Sequence, residues 1–257
     1  MDNKQRLPIV VIRGTIVFPG MILSLDVGKD KSIRGIETVV QGEKKILLVS
    51  QKTDASDAPD NLFTHGTLTD IKQYMKLPNG VVRLVIEGLD RVSVSDIQDE
   101  TPEKPYMDAA YEVLSFMRYP GPDEEVLRMM LIESFEQWAS MTKKVQPDVV
   151  KALKEQRNPV AVGDIIAGYL TISLAEKEQI LGEADVKRRL IHLLHLLTEK
   201  LEYGKIREHI EQETHVNIDK HQKEFYLREK IKAIHKELGG SEDVVDEVVN
   251  YRKKAEA

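Results

Sequence analysis

From Asp185 to Leu238 the chain runs 54 residues with no proline and one glycine, Gly204. As a helix rising ~1.5 Å per residue, this stretch would span about 80 Å. Few compact folds can hold such an element, so part of it must extend from whatever globule the rest builds. Leu190, Leu194, Leu197 and Leu201 step by four, three and four residues, and Leu227, Ile231, Ile234 and Leu238 do the same. Between the two stripes, Glu211 to Glu224 is largely polar. The first stripe can pack on neighbouring helices, while the second needs another partner. Gly239-Gly240 ends the pattern, and Ser241 with Val244, Val245, Val248 and Val249 predicts a short returning helix.

The region before this helix reads as two parts. Residues 1–117 are mostly β in character. Leu7–Ile12, Ile22–Val27 and Lys45–Ser50 are short apolar runs of strand type. Ile33, Ile36 and Val40 have helical spacing, with Asp30 as the expected N-cap. Asn79-Gly80 between Ile71–Leu77 and Val81–Ile86 predicts a hairpin, because both residues tolerate positive φ. Gly88 is expected to break the run before Leu89–Ile97, and Tyr106–Met117 to form a last strand.

After a Tyr119–Pro122 linker, residues 123–200 read as a bundle of four or five helices. Val126, Leu127, Met130, Leu131, Phe135 and Trp138 lie on one predicted helical face. Pro147 opens a second helix, and Asn158-Pro159 caps and opens a third. Ser173 and Glu176 form a predicted capping box, and Gly182 a helix end. Residues 201–257 make the third part, the helical extension.

Composition narrows the chemistry. The absence of cysteine removes disulfide scaffolds, thiolate metal sites and cysteine nucleophiles. No phosphate-cradling G-x-x-x-x-G-K-[ST], no G-x-S-x-G and no H-E-x-x-H occurs, so no catalytic constellation is expected. Five of seven histidines lie between His192 and His221, without a metal-site spacing, and read as solvated helix residues. Charged residues make up 31%, above the usual quarter, and net charge is −6. Residues 1–110 carry 14 basic and 16 acidic groups, 111–200 carry 12 and 14, and 201–257 carry 11 and 13. This even mixture fits solvated helices and argues against a nucleic-acid module. No apolar run approaches the ~18 residues of a membrane span, and the N-terminus lacks a signal-peptide pattern, so the expectation is a cytoplasmic protein away from membranes.

Two apolar loop segments stand out. One holds Phe18, Pro19 and Met21, and the other holds Met75, Leu77 and Pro78 beside the hairpin turn. Apolar side chains in loops either tuck into the core or form an exposed patch suited to adaptable binding.

Four stretches resemble the N-terminal region of bacterial Lon proteases, the ATP-dependent AAA+ proteases. They are LPIVVIRGTIVFPGMILSLDVGKDKSI, GTLTDIKQYMKLPNGVVRLVIEGLDRV, GDIIAGYLTISLAEKEQILGEADVKRRL and HQKEFYLREKIKAIHKELG. The last, with Phe225-Tyr226-Leu227, is the most specific, and Gly14 stands where the family often has Asp or Asn. The resemblance implies an α+β chain: a PUA-like small β-barrel or pseudobarrel, then a helical bundle, then a long extended C-terminal helix. It also implies that ATP and magnesium belong to an ATPase region absent here, as does the Ser–Lys dyad, so this piece itself is expected to be no enzyme and to hold no cofactor. The implied partners are unfolded or damaged proteins and other subunits of a homo-hexamer. The expected capture surface is Phe18, Pro19, Met21, Met75, Leu77 and Pro78, and the expected assembly helix carries Phe225, Tyr226, Leu227, Ile231, Ile234 and Leu238. The alternatives are an oligomerisation scaffold with little substrate affinity, or a weak nucleic-acid binder.

Overall fold

The computed structural model describes residues 5–114, 121–143 and 145–237, without the side chains of 215–219, 235 and 236. The linker residues Tyr119 and Pro120, the strand end at Met117, Leu238, Gly239-Gly240 and the returning helix after Ser241 lie outside the described residues. The chain packs as two units, divided after Leu201.

The first unit opens with β1 (Arg6–Ile12), β2 (Ile22–Val27), α1 (Asp30–Val39), β3 (Lys45–Gln51), β4 (Leu62–Lys76), β5 (Val82–Gln98) and β6 (Asp108–Val113). The strands form one sheet in the order β2-β5-β4-β3-β1-β6, and β5 also pairs with β6. At 17 residues, β5 is long enough to serve two partners along one side. Its first half, Val82–Glu87, pairs antiparallel with β2, while Val92–Gln98 pairs with β6. β6 then pairs back to β1 through Arg6–Pro8. Five strands thus close on themselves, as a small barrel must to remove its edges, and β2 is added on the outside of β5. The crossover through β2 and α1 makes β1 and β3 parallel.

Alternation along the strands fills both faces. Ile46 and Leu48 of β3 join Val10, Ile12, Ile33 and Ile36 in one core, while Leu47 and Val49 join Ile9, Leu68, Val92 and Met107 in a second.

Gly88 does not break β5. A Cβ there would lie 2.4 Å from the Phe18 carbonyl oxygen, so glycine serves a close backbone approach inside a continuous 17-residue strand. The hairpin forms at Asn79-Gly80 as expected, but only Gly80 takes positive φ (+83°); Leu77 N donates to Val81 O (2.8 Å), and Asn79 contributes its side chain, Oδ1 accepting from Val81 N (3.2 Å). Asp30 is the first residue of α1 rather than its cap. The N-cap position is Lys29, and no side chain caps it.

The helical half consists of α2 (Pro122–Thr142), α3 (Pro147–Glu155), α4 (Pro159–Tyr169), α5 (Leu174–Gly182) and the start of α6 (Val186–Glu237). Asn158 Oδ1 accepts from Val160 N at 3.0 Å, and Ser173 and Glu176 complete the capping box. These caps satisfy first-turn N–H groups that the helices cannot bond internally. Leu131, Phe135 and Trp138 bury as expected, but Val126 and Met130 are exposed; Ile132 and Ala139 complete the buried face instead. They meet Leu153, Val162, Ile166, Leu190, Leu193 and Leu197 in the bundle core.

Sheet and bundle share that core. Ile16 and Phe18, from the loop between β1 and β2, belong to the helical cluster, and Met21 packs against both it and the first β core. The sequence-level boundary near residues 117–123 therefore marks a change of secondary structure and not a break in packing.

The second unit begins at Glu202. Its described part is the helix through Glu237, whose described side chains are almost all exposed.

Candidate functional site

Residues 13–21 are held by their backbone. Gly14 takes φ +67°, in the left-handed region that Asn and Asp also reach, and Gly20 takes +78°. Gly20 N donates to Gly88 O (2.8 Å) and Gly88 N to Met21 O (2.9 Å). Thr67 Oγ1 donates to the Val17 carbonyl and Ser50 Oγ to that of Thr15. Held this way, the loop drives Phe18 into the bundle with 0% exposure. The expectation that Phe18 offers apolar surface is therefore corrected: burying a side chain of this size stabilises by about 1.5–3 kcal/mol, and the bundle core takes it. Pro19 and Met21 are half-buried. Met21 Sδ accepts from Phe18 N at 3.3 Å, and its end lies against Gly168 of α4.

The second segment differs. Met75 is 58% exposed, Pro78 is exposed and Leu77 is half-buried. Met75, Arg83 and Asp26 lie in one cross-strand row over β4, β5 and β2. Arg83 donates twice to Asp26, from Nε (2.7 Å) and Nη2 (2.8 Å), and this guanidinium holds the Asp26 carboxyl below its ordinary range.

The two segments do not merge. Gly88 anchors the first, and Val82 begins the strand beside the second; six residues of strand at ~3.3 Å separate them by about 20 Å. β2 runs between them, with Ile22 exposed at its start.

Sequence reasoning missed the polar groups that tie sheet to bundle. Arg91 on β5 and Asp164 on α4 form a buried ion pair beside a cavity of about 450 Å³, lined also by Pro19, Leu89, Val113 and Val160. Burial pushes the Asp164 carboxyl up, against the pull of Arg91. Arg189 of α6, also buried, is pushed down to about 10 by desolvation and by the Arg91 charge. On the same junction His65 Nδ1 lies 2.6 Å from Glu178 Oε1, an interaction that holds the Glu178 carboxyl below its usual range. Nothing local in the sequence signals these pairs, whose members lie 73 and 113 positions apart.

In the second unit, Phe225, Tyr226, Leu227, Ile231 and Ile234 are exposed, and Leu238 lies outside the described residues. Tyr203, Ile206 and Ile210 are exposed too. Continuing alternate steps of three and four from Tyr203 leads through Glu213, Asn217, Lys220 and Glu224 to Leu227, Ile231 and Ile234. The two apolar groups therefore share one heptad register, with a polar middle. Among the described residues, no group of three or more His, Asp or Glu is placed to hold a metal, and no helix is long and apolar enough to cross a membrane.

The family model of the ATP-dependent protease La (LON) substrate-binding domain matches residues 6–199. Lon protease of Syntrophomonas wolfei is 36% identical over 255 residues, covering 98% of this chain and 31% of the relative. Lon protease of Escherichia coli K12 is 34% identical, covering 100% and 32%, and Lon protease 1 of Bacillus subtilis is 34% identical, covering 99% and 33%. The chain thus spans about a third of the length of these relatives. In fold it resembles the N-terminal domains of Lon proteases from the Mycobacterium avium complex (TM-score 0.61, 19% identity, 76% of this chain and 98% of that one) and from Xanthomonas campestris (0.53, 17%, 74% and 98%).

Proposed function

Because this chain belongs to the LON substrate-binding domain family, we propose that it captures unfolded or damaged polypeptides and presents them to an ATP-driven protease. Apolar segments are buried in folded proteins, so a surface that takes them selects for misfolding without reading a sequence. The observation that carries this reading is the hairpin end, where Met75 stands 58% exposed beside Leu77 and Pro78. A flexible methionine next to a rigid turn can accommodate varied side chains. Pro19 and Met21 supply a second, partly covered contact.

In this reading the chain performs no chemistry. ATP and magnesium would be bound, and peptide bonds cleaved, by other regions of a longer cytoplasmic protease. The test is binding of a permanently unfolded protein to a Met75→Ser/Pro19→Ser variant. The affinity falls while the circular dichroism and melting curve stay close to those of the parent. Unchanged affinity in a folded variant sinks the site assignment.

The helix after Leu201 favours an additional assembly role. Tyr203, Ile206, Ile210, Leu227, Ile231 and Ile234 form a seam suited to a partner helix from another subunit, as a homo-hexamer would supply. Sedimentation of the chain with Ile231→Asp and Ile234→Asp tests this: any self-association of the parent is lost, while binding of unfolded protein persists.

A further inference from the structure

Among the described residues, the barrel opens beside β2. β6 joins β1 to β5 through Arg6–Pro8, extended by Ile9 N donating to Met107 O (2.9 Å), while among the described residues Val10–Ile12 of β1 pair with β3 alone. β2 pairs with β5 on one side, and among the described residues its other side pairs with no strand. Between the two open edges is a slot of about 360 Å³, lined by Val10–Arg13 of the β1 end, Leu25–Lys29 of the β2 end, and Ser32. At ~30 Å³ per water this is the volume of about twelve waters, room for a few apolar side chains.

The edge of β2 is also undefended. Sheet edges are normally blunted by proline, lysine, a bulge or an inward charge. β2, with the sequence ILSLDV, has no proline and no lysine, and its pairing with β5 shows no register shift. Its one charged side chain, Asp26, is engaged across the sheet by Arg83. The Gly88 N to Met21 O bond sets the phase of the ladder. Antiparallel bonding alternates, so Leu23, Leu25 and Val27 bond to β5, while the N–H and C=O groups of Ile22, Ser24 and Asp26 point to the open side.

We propose that this edge takes an extended segment of an unfolded polypeptide as an added strand. The inference rests on the capture reading above and gives it a mode. What the edge offers is main-chain donors and acceptors, and their complement is an extended main chain of any sequence, the one feature all unfolded proteins share. Side chains on one face of the added strand enter the slot by Leu25 and Val27. β2 starts at the Pro19–Met21 loop and ends beside the hairpin turn, so one strand about 20 Å long connects the two apolar segments that are otherwise separate.

The experiment is amide hydrogen exchange by NMR on the 257-residue chain, with and without reduced, carboxymethylated lactalbumin as the unfolded probe. Exchange at Ile22, Ser24 and Asp26 slows at least tenfold at saturating probe. Binding of the probe with these three amides unprotected overturns the edge while leaving the capture reading intact. No binding of the probe overturns both. Protection that rises with protein concentration in the absence of probe assigns the edge to a second copy and overturns the proposal. Ser24→Pro removes one outward N–H without touching the β5 ladder and lowers probe affinity about tenfold, whereas Ser24→Ala, which keeps the N–H, stays within about twofold. A folded Ser24→Pro variant with the parent affinity overturns it as well. If that variant fails to fold, the exchange result on the parent chain decides.

Discussion

Arg91 donates through Nη2 to the carboxylate of Asp164, and each side chain retains only 2% exposure. One partner comes from the sheet and the other from the bundle; removing Asp164 leaves Arg91 and Arg189 as neighbouring buried cations, and removing Arg91 leaves the buried Asp164 carboxyl with only the pull of Arg189. Arg91→Ala or Asp164→Ala is expected to destabilise by about 3–5 kcal/mol. Replacing both with apolar residues of similar size, Arg91→Met with Asp164→Leu, costs much less than the sum of the single changes. Urea denaturation of the three variants measures the difference.

Phe18 should behave as a bundle residue although it precedes the second strand. Phe18→Ala leaves a cavity among helices and costs about 3–5 kcal/mol. Because it joins sheet and bundle, denaturation monitored at Trp138 and by the β signal in circular dichroism should shift together. A shift confined to one probe would contradict a shared core.

Gly88→Ala places a methyl group where the Phe18 carbonyl oxygen approaches to 2.4 Å. The backbone must yield, and overpacking of this kind costs about 1–3 kcal/mol. The loop should move as a piece, since Gly20 and Met21 bond to the same residue. In amide exchange the variant loses protection at Gly20 as well as at Gly88.

The Glu178 carboxyl is held below its ordinary value chiefly by the hydrogen bond to His65. A carboxyl depressed in the folded state contributes stability above its unfolded pKa and loses that contribution as pH falls through the folded value. The parent chain therefore loses stability between about pH 4.5 and the lower folded value, and Glu178→Gln has a shallower acid limb with lower stability at neutral pH. Melting temperatures from pH 3 to 7 test the sign.

Local chemistry was legible in the sequence wherever one or two residues decide it. Asn79-Gly80 forced its turn, Asn158 and Ser173–Glu176 capped their helices, and the proline-free run after Asp185 became one helix. The role of Gly88 depends on a carbonyl 70 positions earlier, a contact no local pattern encodes. The same holds for Phe18: its apolar character could serve a surface or a core, and the core that takes it belongs to helices beginning a hundred residues later. Of the expected capture residues, Met75 and Pro78 stand exposed because they flank a turn that tertiary packing does not cover. The seam at Tyr203, Ile206 and Ile210 is hard to read locally because four polar residues separate it from its continuation.

Closure of the barrel has a consequence for synthesis on the ribosome. The strand that starts the fold, β1, finds its antiparallel partner β6 about a hundred residues later, through pairs such as Leu7 with Ala109. Contacts so distant in sequence are slow to form, since the intervening chain must be ordered first. Translation at ~5–20 residues per second delivers that partner only after about 5–20 s. Until then one side of β1 lacks its strand partner on the nascent chain, whereas the downstream helices find most of their core partners within the bundle, Ile16 and Phe18 aside. The half of this protein richest in strand edges is thus the half that waits longest for its last strand.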